Sequence, residues 1–137
     1  LELGGDLWLL ATGTGIAPFI SLLRDPATYE LFDYIRVLWS VREQAELLAY
    51  DEFLRDLDIE YLPIVTQDPE WPFERKRITT LMEEGLLIND MPELNKVMIC
   101  GSMPFNNDVK DLLTPLGWDE GNKRTQGTFV QEKAFVS

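Results

Sequence analysis

The stretch Asp6-Leu7-Trp8-Leu9-Leu10-Ala11-Thr12-Gly13-Thr14-Gly15-Ile16-Ala17-Pro18 changes character halfway along. Asp6–Ala11 is a short, nearly continuous apolar run, the signature of a strand covered on both faces. Thr12–Gly15 places two glycines in a tight turn. Ile16–Leu23 then reads as a helix with Pro18 in its first turn, where proline is tolerated. Strand, glycine turn and helix in this order open a βα unit, so the rest of the chain is best read as more such units.

Working outward, Asp25-Pro26 ends the first helix and Thr28–Phe32 suits a short second one. Tyr34–Ser40 is a second strand. Gln44–Leu57 carries Ala45, Leu48, Ala49 and Phe53 at helical spacing and predicts one helix. Ile59–Thr66 is a third strand and Gln67–Lys76, with two prolines, a loop. Ile78–Glu84 predicts a helix with Gly85 as its C-cap. Lys96–Cys100 is a fourth strand. Ser102 caps a helix that carries Pro104 at its start and runs to about Leu113. Thr128–Gln131 is a fifth strand, and Glu132–Ser137 a tail. The expected fold is α/β, a doubly wound five-stranded parallel sheet flanked by helices. Ligands on such sheets bind beyond the carboxyl ends of the strands, which selects the segments 12–18, 40–46, 66–77 and 100–106.

The totals narrow the function classes. A length of 137 residues suits one domain with one core. Twelve basic residues against 24 acidic ones give a net charge of −12, which argues against nucleic acid. No apolar run approaches the roughly 20 residues that span a bilayer. With no histidine and one cysteine, Cys100, a zinc site or a Ser–His–Asp arrangement is not expected. The lone cysteine fits a reducing, cytoplasmic compartment. Leu1-Glu2-Leu3 reads as a cut through a longer chain.

Three segments carry candidate chemistry. Thr12-Gly13-Thr14-Gly15 before a helix N-terminus would let backbone N–H groups approach a phosphate. A plain strand-to-helix connection would read the same. Cys100-Gly101-Ser102 should end the fourth strand beside that turn, where a thiol could face a redox ring or simply fill the core. Arg42 follows the second strand, and Arg75, Lys76 and Arg77 follow the third. There they could hold an adenosine 2′-phosphate or form an exposed charged face.

At this point a resemblance enters. LWLLATGTGIAPFISLLRD (7–25), LWSVREQAELLAY (38–50), YLPIVTQD (61–68), RITTLMEEGLL (77–87), MICGS (98–102) and FVQEKAFVS (129–137) resemble, in the same order, segments of bacterial ferredoxin/flavodoxin–NADP reductases. The resemblance implies a Rossmann-like NADP(H) domain, with FAD held mainly by a barrel domain absent from these residues. It implies that Thr12, Gly13, Thr14, Gly15 and Pro18 cradle the pyrophosphate and nicotinamide side. Cys100 and Gly101 would lie by the nicotinamide, and Glu132 would be the acid near the flavin. Ala134 and Phe135, with Val136, would lie against the FAD. Arg42, Thr66 and Arg77 would surround the 2′-phosphate. Where many bacterial members read Thr-Arg-Glu, this chain reads Thr66-Gln67-Asp68, which replaces a charged contact by an amide and adds a carboxylate that should repel the phosphate.

The implied activity is hydride transfer between NADP(H), with NAD(H) as the alternative coenzyme, and FAD. Electrons would then pass to or from ferredoxin or flavodoxin. Acidic carriers would be repelled by a −12 surface, so they are expected to dock on the FAD-binding domain. Two other readings share most of these features: the NAD(P)H domain of another superfamily reductase, such as an oxygenase component, and a nucleotide-binding module without catalysis.

Overall fold

The computed structural model describes residues 5–86, 95–118 and the backbone of 129–133. Its strands are β1 (Asp6–Thr12), β2 (Tyr34–Val41), β3 (Glu60–Val65), β4 (Lys96–Gly101) and β5 (Phe129–Lys133). Its helices are α1 (Ile16–Arg24), α2 (Pro26–Leu31), α3 (Asp51–Arg55), α4 (Ile78–Glu83) and α5 (Met103–Leu113). The sheet order is β3-β2-β1-β4-β5 with every pairing parallel. The chain order therefore reverses between β1 and β4, and that crevice is where a doubly wound sheet opens for a ligand.

Alternation along the strands divides the core between the two faces of the sheet. Leu7, Leu9 and Ala11 of β1, with Val37, Trp39 and Val41 of β2 and Cys100 of β4, pack with Ile16, Phe19 and Leu23 of α1. Trp8, Leu10, Leu38, Val97 and Ile99 point the other way and pack with Ile78 and Met82 of α4 and Val109 and Leu113 of α5. Both faces of β1 are covered, which is why its sequence is an uninterrupted apolar run.

In β1, β2 and β3, charge is confined to the amino-terminal half of each strand. Arg36 pairs with Asp6 and with Glu60, the latter at 2.8 Å, and its guanidinium lies over the Trp8 and Tyr34 rings. Burial works against its positive charge, but the two carboxylates outweigh that and raise its pKa.

Several boundaries follow their sequence signals. Asp25 caps α2 by accepting from the Ala27 N–H at 3.0 Å. Gly85 takes a positive φ after α4, and its N–H and that of Leu86 close the helix on Met82 and Leu81 carbonyls. Ser102 caps α5 by accepting from Phe105 N–H, with Pro104 in the first turn.

Two expectations need correction. Gln44–Leu57 is not one helix: Gln44–Ala49 is a 3₁₀ helix, Tyr50 breaks it at φ −138°, and α3 follows. A 3₁₀ helix has three residues per turn, so the apolar stripe shifts phase. Leu47 and Leu54 are buried, whereas Leu48 is 82% exposed. The break sets the Tyr50 ring 6.3 Å from Trp39, tilted against it. The fifth strand also starts and ends later than expected, so Glu132 and Lys133 belong to β5 rather than to a tail.

The reversal point is held by contact between backbones. Gly13–Gly15 forms a 3₁₀ turn, and its Gly13 carbonyl accepts from the Trp39 indole N–H at 2.8 Å. A Cβ built on Gly15 would stand 2.3 Å from the Cys100 carbonyl oxygen, and one on Gly101 2.2 Å from the Thr12 hydroxyl. A Cβ on Gly13 would meet nothing within 4 Å, although φ there is +52°. Gly15→Ala should therefore destabilise the domain by about 1–3 kcal/mol, the usual cost of overpacking. Gly13→Asn should stay close to wild type, because asparagine tolerates the left-handed region. Urea unfolding of both variants checks this, and equal losses at the two positions would contradict the close approach.

Candidate functional site

The carboxyl ends of β1, β2 and β3 and the amino ends of α4 and α5 enclose a cleft of about 460 Å³. Thr12, Gly13 and Thr14 form its floor. Ser40 and Arg42 enter from β2, and Thr66 and Gln67 from β3. Arg77 leads into α4, and Ser102, Phe105 and Asp108 come from the start of α5. All four segments selected from the sequence meet here.

Of the expected site residues, Thr12, Gly13, Thr14, Arg42, Thr66 and Arg77 line the cleft. Gly15 and Gly101 are buried beneath the turn and serve it through the close approach of β1 to β4. Pro18 is exposed on α1. Cys100 does sit beside the glycine turn, but its side chain is fully buried in the α1-side core and lines no part of the cleft. Glu132 is paired in register with Cys100 across β4 and β5. Ala134 and Phe135 lie outside the described residues.

The electrostatics of the cleft differ from those of the chain as a whole. Arg36, Arg55 and Lys76 are held in ion pairs, Arg75 donates to the Trp71 carbonyl at 2.6 Å, and Arg24 lies over the Phe53 ring. Among the described residues, Arg42 and Arg77 are the basic side chains left without a hydrogen bond, ion pair or ring contact. Both are exposed and both face the cleft. Two guanidiniums without an ion-pair partner, in a strongly acidic chain, are the charge that a dianion would require. The nine-residue α1 begins at the floor, and no side chain caps its N-terminus, which suits a second anionic group there.

Glu46 and Asp108 line the cleft, and Asp68 stands behind its wall. Glu46 accepts from the Arg42 N–H at 3.0 Å and the Glu43 N–H at 2.9 Å, completing a capping box. Asp68 accepts from Glu70 N–H at 3.0 Å and from the Gln44 N–H and side-chain amide, both at 3.3 Å. The Glu70 and Gln44 backbone donors hold its carboxyl below the usual carboxylate range. Asp68 is therefore turned away into these bonds and does not line the cleft, unlike Gln67. Its oxygens are engaged by these donors, while its negative charge remains beside the cleft wall. Lys76 pairs with Glu84 at 2.7 Å, so of the basic cluster Arg77 alone reaches the cleft.

Sequence reasoning missed Glu46, Ser102, Phe105 and Asp108 as cleft residues. The Glu43-x-x-Glu46 spacing is a legible capping-box signal, and Ser102 and Phe105 fall within the selected segment 100–106 without a signal of their own for the cleft. Asp108 had none, since only the packing of α5 beside α4 brings it to the cleft.

Among the described residues, no helix is long and apolar enough to cross a membrane.

Comparison with known proteins agrees with this geometry. A ferredoxin–NADP reductase A of Sorangium cellulosum is 37% identical over 99% of this chain and 55% of its own length. A flavodoxin/ferredoxin–NADP reductase of Rhodobacter capsulatus is 38% identical over 97% of this chain and 55% of its own. The crystal structure of a ferredoxin NADP+ reductase from Neisseria gonorrhoeae, with bound FAD and NADP, superposes with a TM-score of 0.83 at 30% identity. That match covers 97% of this chain and 57% of that one. The chain thus spans about half the length of the curated relatives it matches. The family profile described as the oxidoreductase NAD-binding domain matches residues 9–111, on which the chain belongs to that family.

Proposed function

We propose that this chain is the NADP(H)-binding half of a ferredoxin/flavodoxin–NADP reductase. The observation that carries the reading is the pair of unengaged guanidiniums, Arg42 and Arg77, facing a cleft at the reversal point of the sheet. NAD(H) and NADP(H) share everything except the adenosine 2′-phosphate, and a dianion is what two uncompensated arginines select. The names and coverage of the relatives support the rest of the assignment.

The residues present fit a dinucleotide of this charge. Arg42, Thr66 and Arg77 would hold the 2′-phosphate. Thr12, Gly13, Thr14 and Gly15, with the uncapped start of α1, would receive the pyrophosphate. Pro18 and Gly101 would border the nicotinamide end. When bound, the coenzyme and FAD would supply the chemistry of hydride transfer between nicotinamide C4 and flavin N5. This chain contributes binding and orientation. Cys100, packed under the turn, would set the height of the nicotinamide platform, and Glu132, beside it on β5, would be the nearby acid. Ala134 and Phe135 would lie against the flavin. The FAD would be held mainly by the part of the relatives' length that this chain does not cover. Ferredoxin or flavodoxin would be the carrier, docking there. A soluble carrier and a lone cysteine support a cytoplasmic location.

Coenzyme choice gives the first test. In full-length protein, Arg42→Ala or Arg77→Ala should lower kcat/KM for NADPH relative to NADH by about tenfold, one charge-assisted contact. Gln67→Arg, on the cleft wall, should raise the same ratio. A ratio unchanged in all three variants would refute the placement of the 2′-phosphate.

Cys100 gives a second. Cys100→Ala should slow flavin reduction in stopped-flow measurements while NADP+ affinity stays near wild type. Lower thermal stability with an unchanged rate would make it a core residue only.

A further inference from the structure

Two segments carry the walls at the 2′-phosphate end of the cleft. One is the 3₁₀ helix and its approach, residues 42–49, which presents Arg42. The other is the loop 66–77, which presents Thr66, Gln67 and Arg77. Neither is part of the sheet, and neither Gln44 nor Asp68 belongs to a core cluster. Each is anchored once in the α1-side core, by Leu47 and by Trp71, and at the cleft their spacing is set by a few hydrogen bonds. The Thr66 N–H donates to the Val41 carbonyl at 3.0 Å, and the Gln67 N–H to the Arg42 carbonyl at 2.9 Å. Asp68 adds three more, to Gln44 N–H, Gln44 Nε2 and Glu70 N–H. The Arg42 N–H is held separately by Glu46.

Two side chains of loop 66–77 reach back across: the Thr66 hydroxyl donates to the Val41 carbonyl at 3.4 Å, and the Asp68 carboxylate accepts from Gln44, past Arg42. One Asp68 oxygen grips the Arg42 segment, and the other grips its own loop at Glu70. A long arginine side chain delivers its charge only as accurately as its main chain is held, so fixing residues 42–44 against 66–70 fixes the spacing between the cleft's two walls. We infer that Asp68 is a positioning residue for coenzyme selection: it clasps the Arg42 segment to the loop bearing Thr66 and Gln67, so that the site gains 2′-phosphate affinity from a negative charge. The inference rests on the 2′-phosphate reading above.

The idea has an opposite-signed competitor. If Asp68 acted only through its charge, removing that charge would strengthen binding of a phosphate nearby. If it positions, removing it weakens binding. Isothermal titration of full-length protein with 2′-phospho-AMP and with AMP separates the two. Asp68→Asn should weaken 2′-phospho-AMP about tenfold, the worth of one charge-assisted bond, and leave AMP nearly unchanged. Gln44→Ala, which removes one donor from the other side, should weaken it in the same direction by less, and the double variant should be no worse than Asp68→Asn. Gln44→Ala also keeps the test open should Asp68→Asn fail to fold. Unchanged or tighter 2′-phospho-AMP binding in these variants would overturn the inference. Wild-type protein that binds AMP as tightly as 2′-phospho-AMP would instead overturn the 2′-phosphate assignment, and this role with it.

Discussion

The contact between Gly15 and the Cys100 carbonyl is the constraint on which the cleft depends. Two strands that are neighbours in the sheet but far apart in sequence end at the same height, and their exits must diverge. β1 turns toward α1 on one face, and β4 turns toward α5 on the other. The divergence opens the crevice, and the absence of a Cβ at positions 15 and 101 lets the two exits start from van der Waals contact. Trp39 adds a lateral tie by donating to Gly13 from the neighbouring strand. A wider start would move the helix N-terminus away from the cleft floor and spread the threonine hydroxyls that line it.

Charge is organised on a smaller scale than the net value suggests. A chain at −12 repels an anion from a distance, but salt screens such fields beyond about 10 Å. Within that range, what matters is which groups are already neutralised. Most basic side chains near carboxylates are spent on them, whereas Glu46 and Asp68, which flank the Arg42 segment, are spent on backbone N–H groups and the Gln44 amide. The acids near Arg42 thus serve the backbone and leave the guanidinium uncommitted.

Much of this was legible in the sequence because it rests on local rules. The run Asp6–Ala11, the glycine turn, Pro18, the Ser102 cap and Gly85 are start and stop signals that act within a few residues, and each marks an element end in the structure. The segment 44–57 misled because Ala45, Leu48, Ala49 and Phe53 fit a 3.6-residue period, while Leu47 and Leu54 answer to a 3₁₀ turn followed by a break at Tyr50. Asp68 misled for another reason. Read by charge alone it opposes a phosphate, but its direction is set by Gln44, 24 residues away. Asp68-Pro69 was a legible turn signal for the bond to Glu70, and nothing local predicted the bond to Gln44. For Cys100 the sequence left both a cleft-facing and a buried thiol open, since a residue's face depends on register, and register is set by the partner strands.

The Arg36 cluster has a consequence at the other end of the molecule. Asp6, Arg36 and Glu60 fasten the first three strands at their amino-terminal edge, stacked on Trp8 and Tyr34, while the cleft occupies the carboxyl-terminal edge. Fastening and recognition are thus separated by the length of a strand and share no side chain. Substitutions distant in this way combine nearly additively. Charge reversals at the cleft rim can therefore change what the domain recognises without loosening this clasp, so the polar fastening of the sheet and its polar recognition can be inherited, or engineered, apart.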